Sequence, residues 1–172
     1  GNSIDQLLDY GFQFGGPIIR DRLWFWVGYG VQDIHNIKIN GYPEKMAVKG
    51  ANAKLNLQIS SQNRLDLAFI GNGKWSESQN VGPNRLPEAS WDIWSNGTPS
   101  YKLEDEHTFS SNFLMSLKII YVDQNWGADP RGGPDVQAAW DYYTGVYYGT
   151  AMIMETWRPD FSTMLDGNLR LF

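Results

Sequence analysis

Apolar and polar positions alternate strictly over residues 53–60: Leu55, Leu57 and Ile59 interleave with Lys54, Asn56, Gln58 and Ser60. A period of two puts the three apolar side chains on one face of a strand. The pattern resumes in RLDLAFIGNGKW, where Leu65, Leu67 and Phe69 take one face and Asp66, Ala68 and Asn72 the other. Only SQN (residues 61–63) intervenes, which predicts a hairpin; GNGK (residues 71–74) reads as the strand's end. A second hairpin is predicted from YKLEDEHTF, SSN (residues 110–112) and FLMSLKIIYVD. In its return strand Phe113, Met115, Leu117, Ile119 and Tyr121 share a face, although Leu114, Ile120 and Val122 join Ser116 and Lys118 opposite. A third lies near the start: Tyr10, Phe12 and Phe14 alternate with Gly11, Gln13 and Gly15, and Leu23, Phe25, Val27 and Tyr29 resume after GGPIIRD. Pro17 is expected in that turn rather than in a strand. In the tail, Thr163, Leu165, Leu169 and Leu171 oppose Asp166, Asn168 and Arg170. DVQAAWDYY, with Asp135 as cap, predicts a two-turn helix inside a loop.

Seven strands emerge, near residues 8–15, 22–31, 50–60, 64–76, 101–109, 113–126 and 155–171. The connections between them run about six, eighteen, three, twenty-four, three and twenty-eight residues. Connections beyond about 12–15 residues are uncommon in compact domains. Here, after the first, long and tight ones alternate. An up-and-down sheet then carries tight turns at one end and long loops at the other, the asymmetry of outer-membrane barrels. The strand lengths approach the roughly 9–11 residues that a tilted strand needs to cross hydrocarbon. Tyr10, Tyr29, Trp75, Tyr101, Tyr121, Trp126 and Trp157 fall near strand ends, where interfacial girdles form. The expected fold is all-β: an antiparallel up-and-down meander of about seven strands, part of a transmembrane β-barrel that this chain alone does not close. A soluble β-sandwich shares the alternation; the loop lengths favour the barrel.

Composition narrows the function. The 172 residues are 42% apolar and 19% charged, as in an ordered domain. Nineteen acidic against fourteen basic residues give net −5, which repels phosphate backbones, so no nucleic-acid partner is expected. Cysteine is absent, removing disulfides, thiolate metal sites and cysteine nucleophiles. No apolar run approaches the roughly 18 residues of a spanning helix, and the first residues lack the pattern of a signal peptide. His35 and His107 have no second ligand at metal-binding spacing, so no metal site is expected. Glu104, Asp105 and Glu106 form an acidic run that suits either a calcium ion or plain solvation. No G-x-S-x-G, P-loop or H-E-x-x-H motif occurs; no cofactor and no catalytic role are expected.

The stretch FGGPIIRDRLWFWVGY resembles the start of the barrel in TonB-dependent outer-membrane receptors, the Oar-like group in particular. The matching residues are Gly15, Gly16, Pro17, Ile18, Arg20, Asp21, Arg22, Leu23, Phe25 and Tyr29, with Trp24 and Trp26 in place of the commoner Phe. YKLEDEHTFSSNFLMSLKIIYVD (residues 101–123) is similar to that group's KLED-x-H-x-F-S-x-N hairpin, PRGG (residues 130–133) follows, and WRPDFSTMLDGN (residues 157–168) resembles the next strand. The resemblance implies that residues 1–172 are a partial receptor barrel, a fragment of a longer protein with a plug, a TonB contact and about 22 strands. It implies a bacterial outer-membrane location, lipid as a partner, and uptake of a scarce siderophore, oligosaccharide or peptide. TonB would act through a plug absent from this chain. Phe172 is terminal as in many barrels, while Arg170 stands where their C-terminal signal is apolar.

Binding surfaces sit on loops held by a rigid scaffold. The two longest loops supply the candidates Asn84, Arg85, Trp91 and Trp94, then Trp126, Arg131, Trp140, Tyr143 and Tyr147. Aromatic faces with interspersed amides and guanidinium groups suit a sugar, peptide or organic chelate. The alternatives are loop packing against the membrane interface, or a secreted β-sandwich carbohydrate-binding module using tryptophan platforms.

Overall fold

The computed structural model describes residues 2–39 and 41–169. Strands β1 (Ser3–Ile19), β2 (Leu23–Ile37), β3 (Pro43–Ser60) and β4 (Asn63–Gln79) pair in chain order, each antiparallel to the last. The next position in the sheet is shared. β5 (Trp91–Ser95) fills the ladder between β4 and β7 (Phe113–Pro130) at one end, and β6 (Ser100–Ser110) fills it at the other. β10 (Met154–Leu169) pairs with β7 and completes the sheet. A separate two-stranded ribbon, β8 (Ala139–Trp140) with β9 (Tyr147–Tyr148), stands in the last connection. The architecture is therefore an all-β antiparallel meander with seven positions. Among the described residues no second sheet is stacked on the large one, so the face-to-face packing of a sandwich is not found.

The tight turns cluster. Those after β1, β3 and β6 meet at one end, where Gln58 N donates to Arg22 O and Thr108 N donates to Gln62 O. The connections at residues 38–42, 80–90 and 131–153 emerge at the other end.

The ladder register carries the hairpin alternation across the whole sheet. Partners in an antiparallel pair share a face, so Phe14, Val27, Ala53, Phe69, Tyr101, Tyr121 and Phe161 form one row across it. Neighbouring rows add Leu55, Leu67, Leu103 and Ile119, then Leu57, Leu65, Leu117 and Leu165. This face is apolar and largely uncovered: Phe14 is 66% exposed, Phe161 68% and Leu165 71%. Its rings touch along the row, Phe69 lying 5.1 Å from Tyr101 and Tyr101 6.1 Å from Tyr121.

The opposite face carries most of the charge. Asp66, only 2% exposed, accepts hydrogen bonds from Asn56 and from Arg64 Nη2, the latter at 2.9 Å. Glu104 lies 2.8 Å from Lys102 and 3.3 Å from Lys118. Towards the long-loop end, Glu44 is bound by Lys38 and Gln79, each at 2.9 Å. Trp24, Trp26, Ile70 and Ile120 lie among these polar groups, so this face is mixed, whereas the other is apolar through its middle rows and turns polar at Asn63 and Asp105 near the tight turns and at Asp33, Lys45 and Lys49 towards the long loops.

Several expectations change. The eighteen-residue connection predicted after the second strand is only residues 38–42, because pairing continues from Gly30↔Gly50 to Ile37↔Pro43. Polar residues such as Gln32, Asp33, Glu44 and Lys45 erase the period of two there without breaking the ladder. Pro17 lies within β1, opposite Trp24, and the turn is residues 20–22, with Asp21 at φ 61°. β1 is an edge strand among the described residues, so a proline without an N–H is tolerated in it. GNGK is mid-strand in β4 rather than its end. The helix expected from DVQAAWDYY is absent: Ala139 and Trp140 form β8, and the only helical turn among the described residues is the 3-10 segment Pro87–Ala89. Trp126 belongs to the mixed face, not to an aromatic girdle with Trp75 and Tyr121. Glu104 and Asp105 point to opposite faces, Asp105 accepting from Asn63, so the acidic run does not converge on an ion. The expectations for Arg170, Leu171 and Phe172 lie outside the described residues.

Candidate functional site

The two longest connections fold against each other. Leu86 N donates to Tyr147 O at 3.0 Å and Tyr147 N donates to Asn84 O at 2.9 Å, so one loop forms a bridge with β9 of the other. Arg131 N donates to Ser90 O, Trp91 Nε1 donates to Met152 O at 2.7 Å, and Thr150 Oγ1 donates to Gly133 O. Ala89 and Ser90 are fully enclosed by this packing.

Arg85 is the centre of the join. Its guanidinium lies 4.8 Å from the Trp91 ring and 4.3 Å from the Tyr147 ring, and Nη1 donates to Ala89 O at 2.9 Å. Trp140 stacks on the outer side of Tyr147 at 6.2 Å, with Tyr142 edge-on to it. A cleft of about 310 Å³ opens between the loops, lined by Arg85, Trp91, Trp140, Tyr147, Thr150 and Met152. No protein-family model, curated protein or solved structure matches the chain.

Four of the nine sequence candidates thus meet in one place: Arg85, Trp91, Trp140 and Tyr147. Asn84 contributes through its backbone carbonyl. Arg131 stands apart, held by Asp92 at 2.8 Å. Trp94 is a wall residue on the apolar face, opposite Trp75 and packed over Gly127, and Trp126 is a wall residue on the other face. Tyr143 projects freely from the ribbon, 96% exposed and edge-on to Tyr142. Thr150 and Met152 complete the cleft and were not anticipated; GTAMIM carries no spacing or residue type that singles them out.

The cleft offers a cation framed by π-faces, a hydroxyl and a thioether, with no paired nucleophile and base. Among the described residues no carboxylate pairs with Arg85, so its charge meets the two rings and the Ala89 carbonyl. Each cation–π contact is worth about 0.5–2 kcal/mol. Arg85→Ala is therefore expected to loosen the two loops without melting the sheet. Limited proteolysis should cut within residues 80–90 about tenfold faster, a change of one such contact's size, while far-ultraviolet circular dichroism stays unchanged.

The ribbon has its own clasp. Asp141 Oδ1 accepts from Tyr143 N at 2.8 Å and from Thr144 N at 3.2 Å. These donors, Thr144 first, hold the carboxyl below its ordinary value of 3.8. A lowered folded-state pKa contributes stability above the unfolded value and loses it as pH falls through the folded one. The protection of the Tyr143 and Thr144 amides, measured relative to their intrinsic exchange rates at each pH, should therefore hold from neutral pH downward and fall only below the ordinary carboxylate range. Asp141→Asn, which keeps the acceptor oxygen, should remove that pH dependence.

Proposed function

We propose that the chain is a segment of the wall of a bacterial outer-membrane TonB-dependent receptor that takes up a scarce nutrient, and that the loop cleft helps capture it. The observation that carries this reading is the single-layer sheet itself. One face is apolar through its middle rows and uncovered, the other carries paired charges, and the long connections leave at one end. The exposed apolar side chains amount to roughly 1,000 Å² of aromatic and aliphatic surface, well above what monomeric soluble proteins leave open. Hydrocarbon is the partner that covers such a face on every strand. The long ladders, with β7 kept bonded by Asn96 and Pro99 where β5 gives way to β6, fit a medium that disfavours unpaired backbone groups. The apolar stretch of β2, Leu23 to Val31, is the roughly 9 residues a tilted strand uses to cross. Loops at the far end would then face the outside, and Arg85 with its rings suits a ligand bearing an anionic group beside a flat face. Transport would require the remaining wall, a plug and TonB.

Flotation tests the location. The full chain should rise with lipid vesicles in a density gradient and sediment as aggregate in plain buffer. A chain that stays monomeric and soluble without lipid would overturn the proposal.

A further inference from the structure

We propose that the apolar face carries a seat for one acyl chain of a phosphate-bearing membrane lipid, with Lys49 meeting its phosphate. This rests on the membrane-wall reading above. Two hollows, each about 370 Å³, lie on that face. The lower one sits over Ala53 and Leu55, between Phe25 and Val27 on one side and Phe69 and Tyr101 on the other. The upper one sits over Ala47 and Gly73, flanked by Lys49, Trp75 and Trp94, with Lys74 and Ser95 completing its lining. Ala51 lies between them on the same face of β3, opposite Gly71, so small side chains continue the floor from one hollow to the next. Larger neighbours on β2 and β4 form the walls.

The dimensions suit one extended acyl chain. From Lys49 to Leu55 is six residues, roughly 20 Å along the strand. At the usual tilt of about 45° this covers about 15 Å of depth, and by register it runs from the level of Val31 to that of Phe25, most of the apolar stretch of β2. The trough therefore has the reach of a single acyl chain hanging from the leaflet on the long-loop side. The charge stands at the correct end. Lys49 is exposed, and both its ladder partners, Val31 and Gly73, are uncharged. Asp33, the nearest acid by register on β2, is engaged by His35 at 3.4 Å. Among the described residues no carboxylate is paired with Lys49. A lysine beside Trp75 and Trp94 can run its stem along apolar surface and place its ammonium at headgroup level. A phosphate there gains its attraction while the chain fills the trough.

The test uses the full chain, released from detergent micelles doped equally with phosphatidylglycerol and phosphatidylcholine of identical acyl chains. Native mass spectrometry then counts the lipid retained. The parent chain should keep phosphatidylglycerol over phosphatidylcholine by about fivefold, the effect of one lysine near an anionic headgroup. Lys49→Gln should bring the two lipids to parity. Ala53→Trp, which fills the trough, should reduce retention of both. Lys118→Gln, on the opposite face and lining neither hollow, should change nothing. Equal retention by the parent chain, or an undiminished preference in Lys49→Gln, would overturn the lipid seat. Flotation separates this from the underlying reading: a chain that floats without lipid preference loses only the seat, whereas one that remains soluble loses both.

Discussion

Leu67→Arg is expected to cost about 2–4 kcal/mol of stability in lipid vesicles, the penalty of a cation facing the middle of a bilayer from a barrel strand. Leu67 sits on the apolar face between Leu55 and Leu103, one row from the aromatic band of Phe69 and Tyr101. Its side chain is 40% exposed and meets no polar partner in that row. Asn52→Arg, on the opposite face between Gly28 and Ile70, introduces the same charge into wet surroundings. It should cost less than about 1 kcal/mol. Urea unfolding of both variants in vesicles gives the comparison directly. If the apolar face were instead wetted, Leu67→Arg would be neutral within about 0.5 kcal/mol, as surface substitutions are.

That contrast uses an assignment of faces already visible in the sequence. The period of two over Leu55, Leu57, Leu65, Leu67 and Phe69 places every one of those residues on the face the structure gives it. The tight turns at Ser61 and Gln62 and at Ser111 and Asn112 were legible for the same reason: polar residues interrupt two runs that must bury or expose the same side. The alternation fails where it has no work to do. Beyond Val31 on β2 and before Lys49 on β3 the faces no longer match the pattern, with Ile34, Met46 and Val48 on the charged face and Asp33, His35 and Lys45 on the other, and only the backbone ladder defines the strand. Hydrogen bonding between main chains leaves no mark on residue type, so that pairing looked like a loop.

The loop cleft was legible only as a list of suitable side chains. Arg85 meets Trp91 within its own loop, but Tyr147 and Trp140 come from the other connection. What brings them together is the backbone bridge between residues 84–86 and Tyr147, which any residues there could form. Trp94 shows the converse. A tryptophan in a predicted loop looked like a binding platform, yet β5 makes it part of the wall, with its ring over Gly127. Pro99 and Asn96-Gly97-Thr98 are residue types that commonly form turns and end strands. They interrupt one without ending it, because β5 and β6 run in the same direction between the same two neighbours.

The junction between β5 and β6 makes the last expectation the sharpest test of the fold. Asn96 N donates to Asn125 O at 2.9 Å, and Asn96 Oδ1 accepts from Asn125 N at 2.8 Å and from Thr98 N at 3.3 Å. Asp123 N is met by Pro99 O at 3.0 Å. These bonds keep β7 paired where the neighbouring strand is broken. On the other side the junction presses Gly97 against β4. Gly97 has φ +67°, and a Cβ placed there would coincide with the Asn72 carbonyl oxygen. Gly97→Val therefore meets two costs. The left-handed backbone alone costs about 1–2 kcal/mol for a side-chain-bearing residue. The clash is with main chain, which cannot rotate away as a side-chain tip would, so either β4 or the junction must shift and its ladder bonds must break. The total should be about 4 kcal/mol, at the severe end for single substitutions. Gly133→Ala separates the two costs: its φ is +88°, but nothing lies within 4 Å of the added methyl. It should lose only about 1–2 kcal/mol. Urea unfolding should rank the parent first, Gly133→Ala next and Gly97→Val far below. If the two variants instead fell together, β5 and β6 would not be held against Asn72 as one interrupted strand.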